Sequence, residues 1–357
     1  MTPKPRRRWF RFGLRTLLIV VAVLSLPLGW FAGRVRRAER QRQAVAAITQ
    51  EVTSQKAELS VGYDYEWEER EKFRETGYYG DAAPPAPKWL MRLLGVHLFA
   101  DVTGVQLYSS EGRPDLQHFM EHLRWLPRLR ELYVSDTQVT DADLKHVRGL
   151  TDLAYLYLSR TQVTDAGFEH LNGLTSLRKL HLSDTQVTGA GLEHLKGLTS
   201  LKELDLSGTQ VTDAWLKHLK GPTSLKRLNL SCTQVTDAGL AYLKGLTNLE
   251  ELAIIRTQVS DAGLEHFRGL TSLKQLNLTG TQVSDAGLAH LTGLTSLKRL
   301  GLSGTQVTDA GLAHLKGLTK LEYLLLSGTQ VTEKGIAAIQ RALPDLYIWP
   351  ETAGGVE

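Results

Sequence analysis

The chain has 357 residues, 42% of them hydrophobic and 22% charged, a balance that excludes disordered, collagen-like and disulfide-scaffold classes and leaves ample apolar side chain for a core. Its net charge of +4 is unevenly placed: residues 1–42 carry eleven basic side chains and one acid (Glu39), or +10, so the remainder carries −6. The body is therefore mildly acidic with Lys and Arg interspersed among Asp and Glu, which argues against nucleic acid as a partner, and the single cysteine, Cys232, can form neither an intrachain disulfide nor a Cys-based zinc site.

In chain order, a basic tail (1–15) precedes TLLIVVAVLSLPLGWFAG, 18 uncharged residues at 16–33. As a helix this run is about 27 Å long against a bilayer core of about 30 Å, so it predicts a single membrane span, with Arg15 and Arg34 at the interfaces and Trp30 and Phe31 as an interfacial anchor. Cleavage after Ala32 or Gly33 would put a bulky aromatic at −3, which favours an uncleaved anchor over a signal peptide. Six basic residues before the span and five after it give a weak orientation bias; the reading adopted is N-terminus inside and bulk outside. Residues 34–59 are rich in helix formers without Pro or Gly and predict a juxtamembrane helix. Residues 60–95 then read as a cap and linker, with acidic and aromatic side chains at 64–75, turn chemistry at 76–87 and a short amphipathic helix carrying Trp89, Leu90, Leu93 and Leu94.

From residue 96 to 348 the chain is periodic. Thr-Gln recurs at 137, 161, 185, 209, 233, 257, 281, 305 and 329, nine units at an unbroken spacing of 24. A period of 20 to 29 with the pattern LxxLxLSGTQVTDAGLxHLxGLTS means a solenoid. Leu-x-Leu alternation makes a short strand with one buried face; stacking units yields a parallel sheet, and TDAGLxHL makes a short helix on the opposite side, started by Thr140 or Asp141 and their equivalents. The Thr of each Thr-Gln pair is expected to give its hydroxyl to the turn backbone as a buried polar ladder. Val105, Leu107, Phe119, Leu123 and Leu126 belong to an irregular opening unit. Leu343, Leu346, Ile348 and Trp349 belong to a C-terminal cover ahead of a tail at 349–357.

On these residues the chain resembles the leucine-rich repeat family, and its TDAGL half resembles repeats of bacterial membrane-anchored leucine-rich repeat proteins and of F-box-associated ones. The resemblance implies an α/β solenoid, a horseshoe with parallel strands on the concave face and helices on the convex face, that acts by binding protein. The small hydrophobic-anchor design is similar to bacterial envelope proteins.

Two ladders resemble chemistry without converging on it. His122 and every 24th residue to His314, interrupted at Tyr242, lie in different repeats and cannot gather on one ion; Asp141, Asp165, Asp213, Asp237, Asp261, Asp285 and Asp309 sit where a carboxylate favours a helix start. With polar types repeated along rows and no phosphate loop, the sequence reads as non-enzymatic, with no cofactor and no metal. The informative positions are those that break the consensus on the exposed strand face. One row runs Tyr133, Tyr157, His181, Asp205, Asn229, Ala253, Asn277, Gly301, Leu325, and its neighbour Glu131, Tyr155, Lys179, Glu203, Arg227, Glu251, Gln275, Arg299, Tyr323. Aromatics gather toward the N-terminal half, so Tyr133, Tyr155 and Tyr157, with Asp136, Arg160, His181, Asp184 and Asp205, form the candidate protein-binding cluster, since Tyr and Arg dominate binding hot spots. Ile255 and Arg256 in place of Ser-Gly, Trp215 in place of Gly and Pro222 in place of Leu carry no assigned role.

The leading expectation is thus a membrane-anchored interaction module with a protein or peptide partner and an extracytoplasmic array. An adaptor delivering substrates to a modifying machine is the alternative from the F-box likeness, although the first 60 residues read as anchor and basic helix. A structural or carbohydrate-binding envelope role through concave aromatics is the third.

Overall fold

The structure is a computed structural model, and it describes residues 14–55, 57–63, 86, 91, 96–98, 100–109, 114, 118–220 and 224–349, with side chains from Gly29 onward apart from Leu98, Tyr108, Ser109, Leu192 and Lys220. The expected acidic stretch at 64–75, the amphipathic helix at 87–95 apart from Met91, Pro222 and the tail beyond Trp349 lie outside the described residues.

Helix α1 spans Leu14–Ser54 without a break. The expected membrane span and juxtamembrane helix are therefore one element on the backbone, and Pro27 does not divide it. Among the described residues no helix is long and apolar enough to cross a membrane; the side chains of residues 16–28, most of the expected span, are outside them. The helix stops earlier than the sequence suggests. Thr53 and Ser54 are poor helix formers, the Ser54 hydroxyl turns back to the Glu51 carbonyl at 2.6 Å, and Ala57–Tyr63 leaves as strand β1 instead of finishing a helix at 59. Contacts divide the chain into two compact units, residues 1–46 with 63–101, and residues 47–62 with 102–357.

In the first unit, Gln41 is fully buried and its Nε2 donates to Asp101 Oδ1 at 2.8 Å. The second unit is the solenoid. Among the described residues twelve strands form one sheet in strict sequence order: β1, then β2 (Val102–Ser109), β3 (Glu131–Tyr133), β4 (Tyr155–Tyr157), β5 (Lys179–His181), β6 (Glu203–Asp205), β7 (Arg227–Asn229), β8 (Glu251–Ala253), β9 (Gln275–Asn277), β10 (Arg299–Gly301), β11 (Tyr323–Leu325) and β12 (Tyr347–Trp349). From β3 onward each residue pairs in parallel with the one 24 positions later, as Leu228 does with Leu252 and Leu252 with Leu276. The constant offset keeps every leucine on the core side, because a slip of one residue would expose the whole set. Leu204, Leu228, Leu252, Leu276 and Leu300 are all at most 2% exposed. The sheet begins at residue 57, well before the expected boundary at 96, so β1 and β2 shield the edge that β3 would otherwise present.

The Thr ladder forms as expected. Thr233 Oγ1 donates to the Leu230 carbonyl at 2.6 Å, and the same bond runs from Thr137 to Val134, Thr209 to Leu206 and Thr281 to Leu278. Each hydroxyl satisfies a buried carbonyl at the end of a strand that is too short to do so itself. Thr233→Val keeps the shape and orphans that carbonyl, so we expect a loss of about 1–3 kcal/mol in urea unfolding, with the sheet intact by circular dichroism.

The Asp ladder stands in the first turn of the helices, as expected, and has a second role. Asp237 Oδ1 accepts from Ser260 N at 2.7 Å and its Oδ2 from Ser260 Oγ at 2.5 Å, so each carboxylate holds the cap residue of the following repeat. Asp213 does the same to Thr236 and Asp285 to Thr308. The glycine of each DAGL segment is what lets this carboxylate approach. A Cβ on Gly263 would collide with Asp237 Oδ1 and lie 2.9 Å from Leu240 Cδ1.

The repeat pair around residue 200 breaks both halves of this device together. Gly189 stands where Asp is usual and Trp215 where Gly is usual, and a Cβ on Gly189 would lie 2.8 Å from the Trp215 side chain. The indole occupies the space a carboxylate at 189 would need, and it is 3% exposed. Trp215 is thus interior packing and adds no aromatic to the surface.

Candidate protein-binding face

Alternation along each three-residue strand puts the first and third side chains outside and the middle leucine inside, so the two rows read from sequence lie side by side across the sheet. At the N-terminal end Tyr133 and Tyr157 are 5.2 Å apart between ring centroids, and Tyr157 meets His181 edge-on at 4.7 Å. These three form a continuous aromatic stack. Tyr155 does not join the outer surface: it is 4% exposed, with Lys179 Nζ 5.8 Å from its ring centroid, and Glu131 beside it in the same row is also buried. The row thus starts buried and opens only from Lys179 onward.

Asp136, Arg160 and Asp184 occupy the turn after the strand, where the consensus residue is Gly, and all three have φ between 55° and 59°. The glycines at 208, 280, 304 and 328 take the same left-handed conformation. Non-glycine residues are disfavoured there by the Cβ, so Arg160 and its neighbours hold a costly backbone. Arg160 is joined to Asp136 at 3.2 Å and to Asp184 at 3.5 Å, and the two carboxylates raise its pKa. Cys232 and Arg256 share the conformation, and nothing in the structure explains them further. Asp205 is already engaged: its Oδ1 accepts from the Ser207 N–H at 2.9 Å and hydroxyl at 2.7 Å, an Asx turn that closes its own strand.

Glu203 is a hub that the row pattern did not single out. Lys179 Nζ and His181 Nε2 lie 2.8 Å from its carboxylate and Arg227 3.2 Å; Arg227 in turn reaches Glu251 at 2.9 Å. Burial pushes the Glu203 carboxyl upward, but hydrogen bonds from His181 and Lys179 outweigh it and hold the pKa at about 2. A folded pKa below the unfolded value contributes stability that is complete above the unfolded carboxylate range near 4.5 and is lost as pH falls toward 2. Acid titration of unfolding should therefore show a loss between those values worth about 1–2 kcal/mol after solvent screening, absent in Glu203→Gln.

From β6 to β11 the same face encloses a groove of about 610 Å³, floored by the strand leucines and walled by the Glu203–Arg227–Glu251 chain on one side and Asp205, Asn229 and Asn277 on the other. At its C-terminal end lie exposed aromatics outside the expected N-terminal cluster. Tyr323, Tyr347 and Trp349 are 43%, 53% and 57% exposed. Tyr347 meets Tyr323 at 6.0 Å and is stacked on Trp349 at 6.5 Å and 24°. The cover is built by Leu343, Leu346 and Ile348, which are buried, whereas Trp349 belongs to the strand face. The signal was present: 323 and 325 advance by one period to 347 and 349. The histidine ladder lies on the opposite side in the helical segments, and among the described residues no three His, Cys, Asp or Glu side chains are placed to hold a metal.

The family model of a leucine-rich repeat region matches residues 107–347, about two thirds of the chain. The chain belongs to the leucine-rich repeat family. No curated protein matches it. Among solved structures, the leucine-rich repeat array is similar to an internalin of Listeria monocytogenes (TM-score 0.47, 21% identity, covering 73% of this chain and 92% of that one). It is also similar to internalin C2 of the same organism (0.46, 30%, 61% and 86%) and to a leucine-rich repeat protein of Leptospira interrogans (0.43, 20%, 64% and 68%).

Proposed function

We propose that the protein is a non-enzymatic, membrane-anchored recognition module whose leucine-rich repeat array binds a protein or peptide partner along the grooved strand face. The observation that carries this reading is the groove itself: a depression of about 610 Å³ running over six strands, lined at its C-terminal end by Tyr323, with exposed Tyr347 and Trp349 on the next strand. Exposed aromatic area of this kind is characteristic of interaction surfaces, and a row of side chains 24 residues apart offers a binding track that an extended segment can follow. The Tyr133–Tyr157–His181 stack extends the track toward the N-terminal end.

Anchoring through residues 16–33 rests on their uncharged, apolar sequence inside one continuous helix, and on Trp30 and Phe31, which stand 68% and 51% exposed at its described part, where interfacial aromatics of an anchor would stand. The array then lies outside the cytoplasm.

Filling the groove tests the binding reading. Asn229→Trp with Gln275→Trp should abolish partner capture, while Lys217→Trp on the helical side should not; equal capture by all variants would sink it. Protease applied to intact cells, with an epitope tag after Glu357, tests the anchoring: digestion of the array from outside supports the orientation, and protection until the membrane is opened reverses it.

A further inference from the structure

The charges along the groove are not evenly spent. From β5 to β8 they neutralise one another in sequence, Lys179 on Glu203, Glu203 on Arg227 and Arg227 on Glu251, at 2.8 to 3.2 Å. In the flanking row Glu250 is shared by Lys226 and Lys274 at 2.6 Å each, and Lys298 is paired with Glu322 at 2.7 Å. Arg299 is different. It is exposed, it makes no ion pair among the described residues, and its guanidinium carbon lies 4.9 Å from the Tyr323 ring centroid. Across these two rows from β7 to β11, five cations (Lys226, Arg227, Lys274, Lys298, Arg299) face three carboxylates (Glu250, Glu251, Glu322). This stretch is therefore cationic by two in a chain that carries −6 outside its first 42 residues.

Beside Arg299 one position of the groove floor carries no side chain. Gly301 takes the row position between Asn277 and Leu325, and a Cβ there would collide with the Asn277 amide. That amide is fixed, its Oδ1 accepting from Thr279 N at 3.1 Å, and it covers the buried Gly301, so position 301 is kept without a side chain. Leu325 and the Tyr347–Trp349 pair follow on the same face beyond Gly301.

We propose that the C-terminal half of the groove is a subsite for an acidic peptide segment, with a carboxylate on Arg299 and an adjoining apolar side chain against Leu325 and the Tyr347–Trp349 ledge. This rests on the protein-binding reading above and names the partner's chemistry. An arginine with no carboxylate partner among the described residues, braced on an aromatic ring, presents its fork of donors ready for a bidentate partner. The aromatic ledge supplies apolar area at little entropic cost. A basic segment would meet a field of its own sign.

The test uses the full chain in detergent micelles and two fluorescein-labelled twelve-residue peptide pools, one with fixed Glu residues flanked by Leu and Phe, the other identical but with Gln for Glu. Fluorescence polarisation should show the Glu pool binding at least about tenfold more tightly than the Gln pool. Arg299→Gln should remove that advantage and leave the Gln pool unchanged, Arg299→Lys should keep most of it, and Trp349→Ala should weaken both pools. Equal affinity for the two pools, or an Arg299→Gln variant that still prefers Glu, overturns the acidic subsite. If charge-blind binding disappears in Trp349→Ala, the groove reading stands without it; if charge-blind binding survives Arg299→Gln and Trp349→Ala alike, the groove reading falls as well. No binding of either pool, with retention of a soluble neutral polysaccharide that Trp349→Ala abolishes, overturns the peptide class.

Discussion

Trp215→Gly and Gly189→Asp should each destabilise the array by several kcal/mol, and the double variant, freed of the Trp215 clash but not of the left-handed backbone at 189, should recover part of that loss. The indole is 3% exposed, so its removal leaves a cavity of the kind that costs about 3–5 kcal/mol for a large aromatic. Its Nε1 is buried with no partner among the described residues, which is a small relief on removal and does not change the sign. Gly189→Asp fails for a different reason: φ is +111° and the new Cβ would lie 2.8 Å from Trp215. The pair together restores the Asp and Gly of every neighbouring repeat, so the carboxylate introduced at position 189 would be free to hold Thr212 as Asp213 holds Thr236. We expect a coupling of at least about 2 kcal/mol in a double-mutant cycle by chemical denaturation; additive losses would show that the two replacements are independent.

Gly263→Ala is the second large effect. In a free helix this exchange gains about 1 kcal/mol. Here the methyl group would enter the space of Asp237 Oδ1 and force that carboxylate off Ser260, breaking two charge-assisted hydrogen bonds at 2.7 and 2.5 Å. Each such bond is worth about 1.5–3 kcal/mol, so a net loss of about 3 kcal/mol is expected, read as a lower urea midpoint. Asp237→Ser introduced alongside Gly263→Ala should relieve the collision and recover part of the loss. Because neighbouring repeats hold one another, the damage should spread to both flanks and broaden the transition.

Both cases also mark what a strong period does and does not disclose. The spacing of 24 was enough to place the strands, their register, the inward leucines and the buried threonines, because each follows from stacking identical units. It did not disclose that Asp237 reaches forward to Ser260, since a carboxylate at a helix start has an equally good local explanation. Nor did it show Trp215 as the counterpart of Gly189, a relation visible only across the repeat boundary. At the strand face, the stack of Tyr133, Tyr157 and His181 was legible from the row, while the burial of Tyr155 depends on what surrounds the first open strands. Tyr347 and Trp349 were in plain register with Tyr323 and Leu325, and were missed because the end of a solenoid is expected to be covered. Strand β1 escaped notice because AELSVGY follows helix formers and has no leucine period of its own.

In the proposed function the grooved strand face is the working surface and the helical face its support. Glu203, Arg227 and Glu251 give the middle of the track a rigid, self-neutralised wall, whereas Arg299 and the three terminal aromatics leave chemistry available at one end. The most direct measurement is site-specific photo-crosslinking in the full chain, with a benzophenone amino acid placed at Gln275 on the grooved face or at Lys217 on the helical face. A discrete crosslinked protein is expected from position 275, lost when the groove is blocked by Asn229→Trp, and none from position 217. The same partner captured from 217 with nothing from 275 would contradict a grooved working surface.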